Sequence, residues 1–292
     1  MLNSWWLPTA ISACCMGVYD ICKKDAVKDN SVMPTLFFTT LCGSVFFVLL
    51  ALVRGELLTS FACTPKEYFL VLAKSTIVAS SWICVYYAMR ELPISLASPI
   101  RSTSPVWTML GGILLFGEVP NWLQAIGIVL IFAGYFLFTK LGKLEGFSWK
   151  SRGMQLIILG TLLGAASALY DKFLLNTMEL NRQMMQMYFS VNLVIVLGGF
   201  TLLRNIFGNR HTFVWKWSIP ATGVLIMISD FSYFYGVSQP DAPISMISLV
   251  RRCSCAVSFF LGAMIFRDKN IKEKSAALIL LLAGAAILAL AK

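Results

Sequence analysis

The feature that most constrains this chain is a run of ten apolar segments separated only by short connections, at about 5–23, 33–53, 68–89, 94–116, 121–139, 153–175, 183–203, 217–237, 243–266 and 274–291. Each approaches the ~20 residues a helix needs to cross roughly 30 Å of hydrocarbon. None alternates with the ten-residue rhythm of a membrane barrel. Backbone N–H and C=O groups in lipid must be satisfied within their own segment, so the segments are read as helices. The expected fold is an all-α integral membrane protein of ten transmembrane helices, placed in a bilayer as a multi-pass protein. The 292 residues leave no stretch for a separate soluble domain. Only 13% of them are charged, against roughly 25% in a soluble domain.

The formal charge of +10 would point to nucleic acid in a soluble chain. Here the cations fall mostly in short loops, a pattern of topology and lipid headgroup contact, so no nucleic-acid partner is expected. Lys23, Lys24, Lys28, Arg90, Lys140, Lys143, Lys150, Arg152, Arg204, Arg210, Lys216, Arg267, Lys269, Lys272 and Lys274 all read as residues of the first, third, fifth, seventh and ninth loops. Only Arg54, Lys66, Lys172, Arg182 and Lys292 fall on the other side. Counted alone, these charges place both termini outside. Met1 to Trp6 lacks the basic region and small-residue cleavage site of a signal peptide. The first helix is therefore expected to remain in the mature protein. Six of the eight cysteines lie in apolar runs without metal-ligand spacing and read as small packing residues.

A second signal is a repeat of about 150 residues. Pro93-Ile94-Ser95 recurs as Pro243-Ile244-Ser245, Arg101 as Arg251, Glu118 as Asp268 and Ala133-Gly134 as Ala283-Gly284, all at one offset. Tyr19-Asp20 returns as Tyr170-Asp171, and Tyr86-Tyr87-Ala88 resembles Phe234-Tyr235-Gly236. The chain thus reads as two five-helix units, 1–145 and 146–292. Five is odd, so the second unit enters the membrane from the opposite side and the repeats are inverted. Many secondary transporters build alternating access in this way.

Two halves of five short spans, the fourth in each closing on Leu114-Leu115-Phe116-Gly117-Glu118 or Ile265-Phe266-Arg267-Asp268, resemble the drug/metabolite transporter superfamily, EamA type. The resemblance implies a ten-helix carrier with a central cavity between the halves, in the plasma (inner) membrane of a prokaryote. Members of that family more often keep both termini in the cytoplasm, which conflicts with the charge count.

Ionisable residues in hydrocarbon cost about 2.5–3.5 kcal/mol even on lenient scales, so each is a functional candidate. The interior set is Lys74, Arg101, Arg251 and Arg252, with Asp230 as the clearly interior anion and Asp20 and Asp171 nearer span ends. This cationic excess requires a counter-anion, and a substrate is the simplest. Arg101 lies between Pro99 and Pro105, which free the Ser95 and Arg101 carbonyls, so the fourth helix should bend or open there. Ser98 and Ser102 add hydroxyls to that turn. A guanidinium offers a rigid fork for carboxylate or phosphate; the competing reading is that the arginines pair with Asp230 or helix carbonyls and hold the halves together.

A further resemblance is to plastid sugar-phosphate translocators, which carry a phosphate-binding basic residue in the fourth span and a basic pair in the ninth. Arg101 and Arg251-Arg252 stand where that pattern puts them. Arginine here replaces the usual lysine in two places, Trp82 replaces a histidine, and no transit segment is apparent. Trp82, Tyr86, Tyr87, Tyr233 and Tyr235 are candidate cavity-wall residues, and Asp230, Asp20 and Asp171 are candidate gating or coupling groups. Asp20 with Lys24 also reads as an ordinary i,i+4 pair. No phosphate loop, HExxH or nucleophile elbow occurs, so neither an enzyme nor a cofactor is expected.

The expected function is secondary active transport of a small anionic metabolite by alternating access, a phosphorylated one being suggested by the second resemblance, with a proton or an exchanged substrate as the coupling partner. The alternative is export of amino acids or other zwitterions. Single cysteines at Leu2 and Lys292, in a background without reactive thiols, should label from the same face with an impermeant reagent. The loop holding Lys143 and Lys150 should label from the other, and opposite labelling of the termini would overturn the span count.

Overall fold

The computed structural model describes residues 5–55, 63–116, 121–144, 146, 150–207, 212–237, 250–251, 253–268 and 270–290. Among these there are helices and no strands. The order is α1 (Trp6–Val27), α2 (Val32–Val53), α3 (Pro65–Glu91), α4 (Ile94–Arg101), α5 (Ser104–Phe116), α6 (Trp122–Leu144), α7 (Arg152–Lys172), α8 (Arg182–Phe207), α9 (Ser218–Val237), α10 (Ser254–Phe266) and α11 (Ile271–Leu290), with a π turn over Phe173–Thr177 after α7. The helices α2, α3, α7 and α8 are individually long and apolar enough to cross a membrane. Trp122 and Trp217 project from helix ends with most of their surface exposed, as interfacial aromatics do. Pro243-Ile244-Ser245, Glu118 and Arg252 lie outside the described residues.

The fourth span breaks where the prolines require it. α4 ends at Arg101, α5 begins at Ser104, and Ser102 and Thr103 form a turn between them. The backbone groups freed at the break are taken up locally. The Ser102 N–H donates to the carbonyls of Ser98 at 3.1 Å and Pro99 at 3.0 Å, and the Thr103 hydroxyl donates to the Ile100 carbonyl at 2.7 Å. Such repair is what allows an interrupted helix at membrane depth.

The strongest packing runs between distant parts of the chain: α6 against α11, α1 against α9, and α3 against α7, followed by α2 against α9 and α3 against α8. Exchanging each span for the one five further along converts the α1–α9 pair into α7–α3 and the α2–α9 pair into α8–α3. The α6–α11 seam shows the same relation in atomic detail. A Cβ on Gly134 would lie 2.9 Å from the Ala277 carbonyl oxygen and from Leu281, and one on Gly284 would lie 2.7 Å from the Gly127 carbonyl oxygen and from Ile131. Each of these contacts becomes the other on shifting by the offset that relates Arg101 to Arg251. A glycine is needed at both positions because the facing atoms are backbone, allowing close approach of the two helices. Gly43 and Gly223 approach across α2 and α9 in the same manner, with a Cβ on Gly223 only 2.3 Å from the Thr39 carbonyl oxygen.

Gly134→Val and Gly284→Val should each lower stability by about 1–3 kcal/mol through overpacking of this seam. Gly199→Ala, where a Cβ would meet nothing within 4 Å, should be neutral or slightly stabilising because glycine is a poor helix former. Thermal unfolding in one detergent compares them.

Candidate functional site

Three groups of paired charges occupy the bundle. In the first, the Asp20 carboxylate of α1 accepts from Lys23 Nζ at 2.5 Å, from Arg101 at 2.9 Å and from the Ser98 hydroxyl at 3.2 Å. Ser98 is also 2.6 Å from the Ser258 hydroxyl of α10, which ties the broken fourth span to the second half. The ammonium of Lys23 lies 4.3 Å from the centre of the Tyr19 ring and 5.9 Å from that of Tyr86. Both rings are buried. In the second group Arg251 donates to Asp230 of α9, and its guanidinium lies 4.2 Å from the centre of the Tyr233 ring. In the third, Lys74 of α3 meets Asp171 of α7 at 2.5 Å and lies 4.5 Å from the centre of the Phe189 ring.

Depth separates these groups. At 1.5 Å per residue, Asp20 lies roughly 10 Å short of the end of α1, and Arg101 roughly 10 Å beyond the start of α4. Both ends adjoin odd-numbered loops. Asp230 lies a similar distance from the opposite end, at Val237. Counted along their helices, Arg101 and Asp230 therefore lie nearer opposite faces of the bundle.

The sequence-derived candidates divide accordingly. Arg101, Ser98, Asp20 and Tyr86 come together around one carboxylate, Ser102 stands beside them at the helix break, and Arg251, Asp230 and Tyr233 form a second centre. Lys74 and Asp171 form the third. Arg252 lies outside the described residues. Trp82 packs partly buried against the core, and Tyr235 is 54% exposed. Tyr87 accepts from Arg204 of α8 instead.

Two readings of the first loop are corrected. Lys23 is no loop cation: its side chain is 0% exposed and is held by Asp20. Lys24 does not pair with Asp20; its ammonium donates at 2.5 Å to the carbonyls of Met89 and Leu92, capping the end of α3. Lys274, also read as a loop residue, is wholly buried and donates to the Ser95 hydroxyl at 3.0 Å, while Asp268 accepts from the Ser95 N–H at 2.9 Å. The signal that could have found Lys23 was its i,i+3 spacing from Asp20.

With this geometry in place, the chain can be set beside known proteins. Residues 4–140 match the model of the EamA-like transporter family. The match spans just under half of the chain. A solved crystal structure shares the fold with a TM-score of 0.67 at 13% identity, covering 98% of this chain and 96% of its own. No curated protein matches. The matched family is one of transporters, and the helices long and apolar enough to cross a membrane fit that likeness.

Asp20 is the only carboxylate among the described residues that pairs with Lys23 and Arg101. Asp20→Asn leaves two cations side by side in a buried position and should cost about 3–5 kcal/mol of stability. Asp20→Asn combined with Lys23→Met should recover part of that. Asp230 is 39% exposed in its side chain, so Asp230→Asn should cost much less. Thermal unfolding of the three variants in detergent checks the order.

Proposed function

We propose that this EamA-type protein moves a small anionic metabolite by alternating access, through two inverted five-helix repeats meeting near residue 145. The observation that carries the anionic reading is that one carboxylate, Asp20, serves two cations. Lys23 is sealed inside, whereas the side chain of Arg101 remains 30% exposed. The excess positive charge of the cluster is therefore reachable only through Arg101, whose remaining donors can take a carboxylate or a phosphate as a fork. The Ser98 and Ser102 hydroxyls stand beside it to complete an oxygen-rich ligand shell.

A loaded carrier exchanges one counter-anion for another at each arginine. The substrate competes with Asp20 for Arg101 and with Asp230 for Arg251. An empty carrier re-forms both internal pairs, so neither arginine crosses the bilayer unpartnered. Within the anion class a phosphate ester suits the guanidinium fork of Arg101, which can hold two of its oxygens at once.

The Arg251–Asp230 pair supports a second reading. It is neutral, and the Tyr233 ring lies under the guanidinium. A zwitterion could place its carboxylate on Arg251 and its ammonium on Asp230, which corresponds to amino-acid export.

A ligand thermal-shift screen over phosphorylated metabolites, carboxylates and amino acids separates the two readings. On the anionic reading phosphate esters or carboxylates stabilise the protein and neutral amino acids do not. Arg101→Lys and Arg251→Lys keep the charge and lose the fork, so affinity should fall about tenfold or more for each, the loss of a charge-assisted hydrogen bond, while both variants remain monodisperse. If the lysine variants bind normally and the Arg→Ala variants aggregate, the arginines serve packing alone and the anionic reading fails.

A further inference from the structure

Tyr87 is surrounded by three arginines from three helices. The guanidinium of Arg90 lies 5.8 Å from the ring centre, that of Arg152 5.7 Å and that of Arg204 5.4 Å, and Arg204 also donates to the tyrosine hydroxyl. Among the described residues only Glu91 comes within ion-pair distance of them, 3.9 Å from Arg152, while Asp29 and Lys28 line a cavity together with Arg90. Each guanidinium gains from the ring face, but three like charges around one ring repel. The cluster keeps a positive excess that no residue described here removes.

Its position says what would remove it. Arg90 closes α3, Arg152 opens α7 and Arg204 lies in the last turn of α8, so all three stand at the membrane face of the odd-numbered loops. α3 packs against both α7 and α8, and its outward stripe runs Ala73, Thr76, Ser80, Ile83, Tyr87 and Arg90, at helical spacing. Three of the six, Ala73, Thr76 and Ser80, are small, so this face of α3 stands low away from the arginines. On the flanking helices, Leu159 lies two turns below Arg152 and Phe200 one turn below Arg204, both exposed. A cationic head thus stands above exposed apolar side chains of the flanking helices.

We infer that the Arg90–Arg152–Arg204 cluster around Tyr87 is a binding site for the phosphate of an anionic phospholipid, with an acyl chain lying along the outer face of α3. Charge complementarity selects the headgroup. The exposed apolar residues directly below it select a lipid over a soluble phosphate, whose affinity would gain nothing from Leu159 or Phe200. Basic pockets between transmembrane helices hold anionic headgroups by the same combination. The site is separate from the Asp20 centre, since Tyr86 and Tyr87 project about 100° apart on α3.

Native mass spectrometry of the full chain, released from mild detergent and titrated with phosphatidylglycerol or phosphatidylcholine of identical chains, tests this. Wild type should retain phosphatidylglycerol in preference to phosphatidylcholine. Arg152→Gln, an exposed substitution that spares folding, should weaken phosphatidylglycerol retention about fivefold, and Arg90→Gln with Arg204→Gln about fivefold for each charge removed. Phosphatidylcholine binding should not change in any variant. Arg54→Gln, at the opposite face, should leave both lipids unaffected. Equal retention of the two lipids by wild type, or undiminished phosphatidylglycerol binding by the variants, would overturn the site. Displacement of the lipid by millimolar glycerol phosphate would show a soluble-phosphate site and overturn the lipid assignment.

Discussion

Every ionisable side chain carried into hydrocarbon has to be held by another, since an isolated charge there costs several kcal/mol. In this protein the holding is done between spans. Asp20 of α1 takes Arg101 of α4, Asp171 of α7 takes Lys74 of α3, and Asp230 of α9 takes Arg251. Buried pairs contribute little net stability over apolar contacts, but breaking one is expensive. They therefore act less as glue than as constraints on which helices can be neighbours and at what height. On the proposed function the same groups come apart when an anion binds, so the elements that fix the arrangement are also the ones that the proposed substrate disturbs.

Close backbone approach supplies the complementary constraint. In lipid, apolar side chains gain nothing by leaving the acyl chains, so association relies on van der Waals packing and interhelical hydrogen bonds. The glycine seam between α6 and α11 meets the first need. The second is met by Ser81, which donates to the Gly160 carbonyl at 2.7 Å from α3 to α7, and by Ser229, which donates to the Ser12 carbonyl at 2.9 Å from α9 to α1. These two bonds join helix pairs that the five-span exchange interconverts.

Much of this was legible in the residues. The apolar runs mark the helices, and Pro99 with Pro105 marks the break after Arg101, because a missing N–H and a ring clash are local properties that tertiary context cannot remove. The position of Lys23 was not legible. A lysine four residues before a span boundary reads as a headgroup contact, and only the arrival of Asp20, Tyr19 and Tyr86 on one side of it accounts for its burial. Lys274 was misread for the same reason, its partner Ser95 lying 179 residues away in the chain. Aromatic clustering misled in the other direction. Tyr86, Tyr87 and Tyr235 share a repeat motif, yet the first is sealed beside Lys23, the second is bound by Arg204 and the third is largely exposed, because adjacent helical residues point in different directions.

Packing and charge do not follow the same symmetry. Apart from the α6–α11 pair, the closest packing gathers α1, α2 and α9 on one hand and α3, α7 and α8 on the other, each cluster drawing from both halves of the sequence. Packing therefore joins helices from the two ends of the chain. Within this arrangement both central arginines are held by carboxylates of the first cluster, Arg101 by Asp20 of α1 and Arg251 by Asp230 of α9. Asp171, the repeat counterpart of Asp20, belongs to the second cluster and is already occupied by Lys74. Two clusters alike in packing thus differ in what they offer an arginine. That difference makes the electrostatics of the two clusters unequal while their packing stays matched.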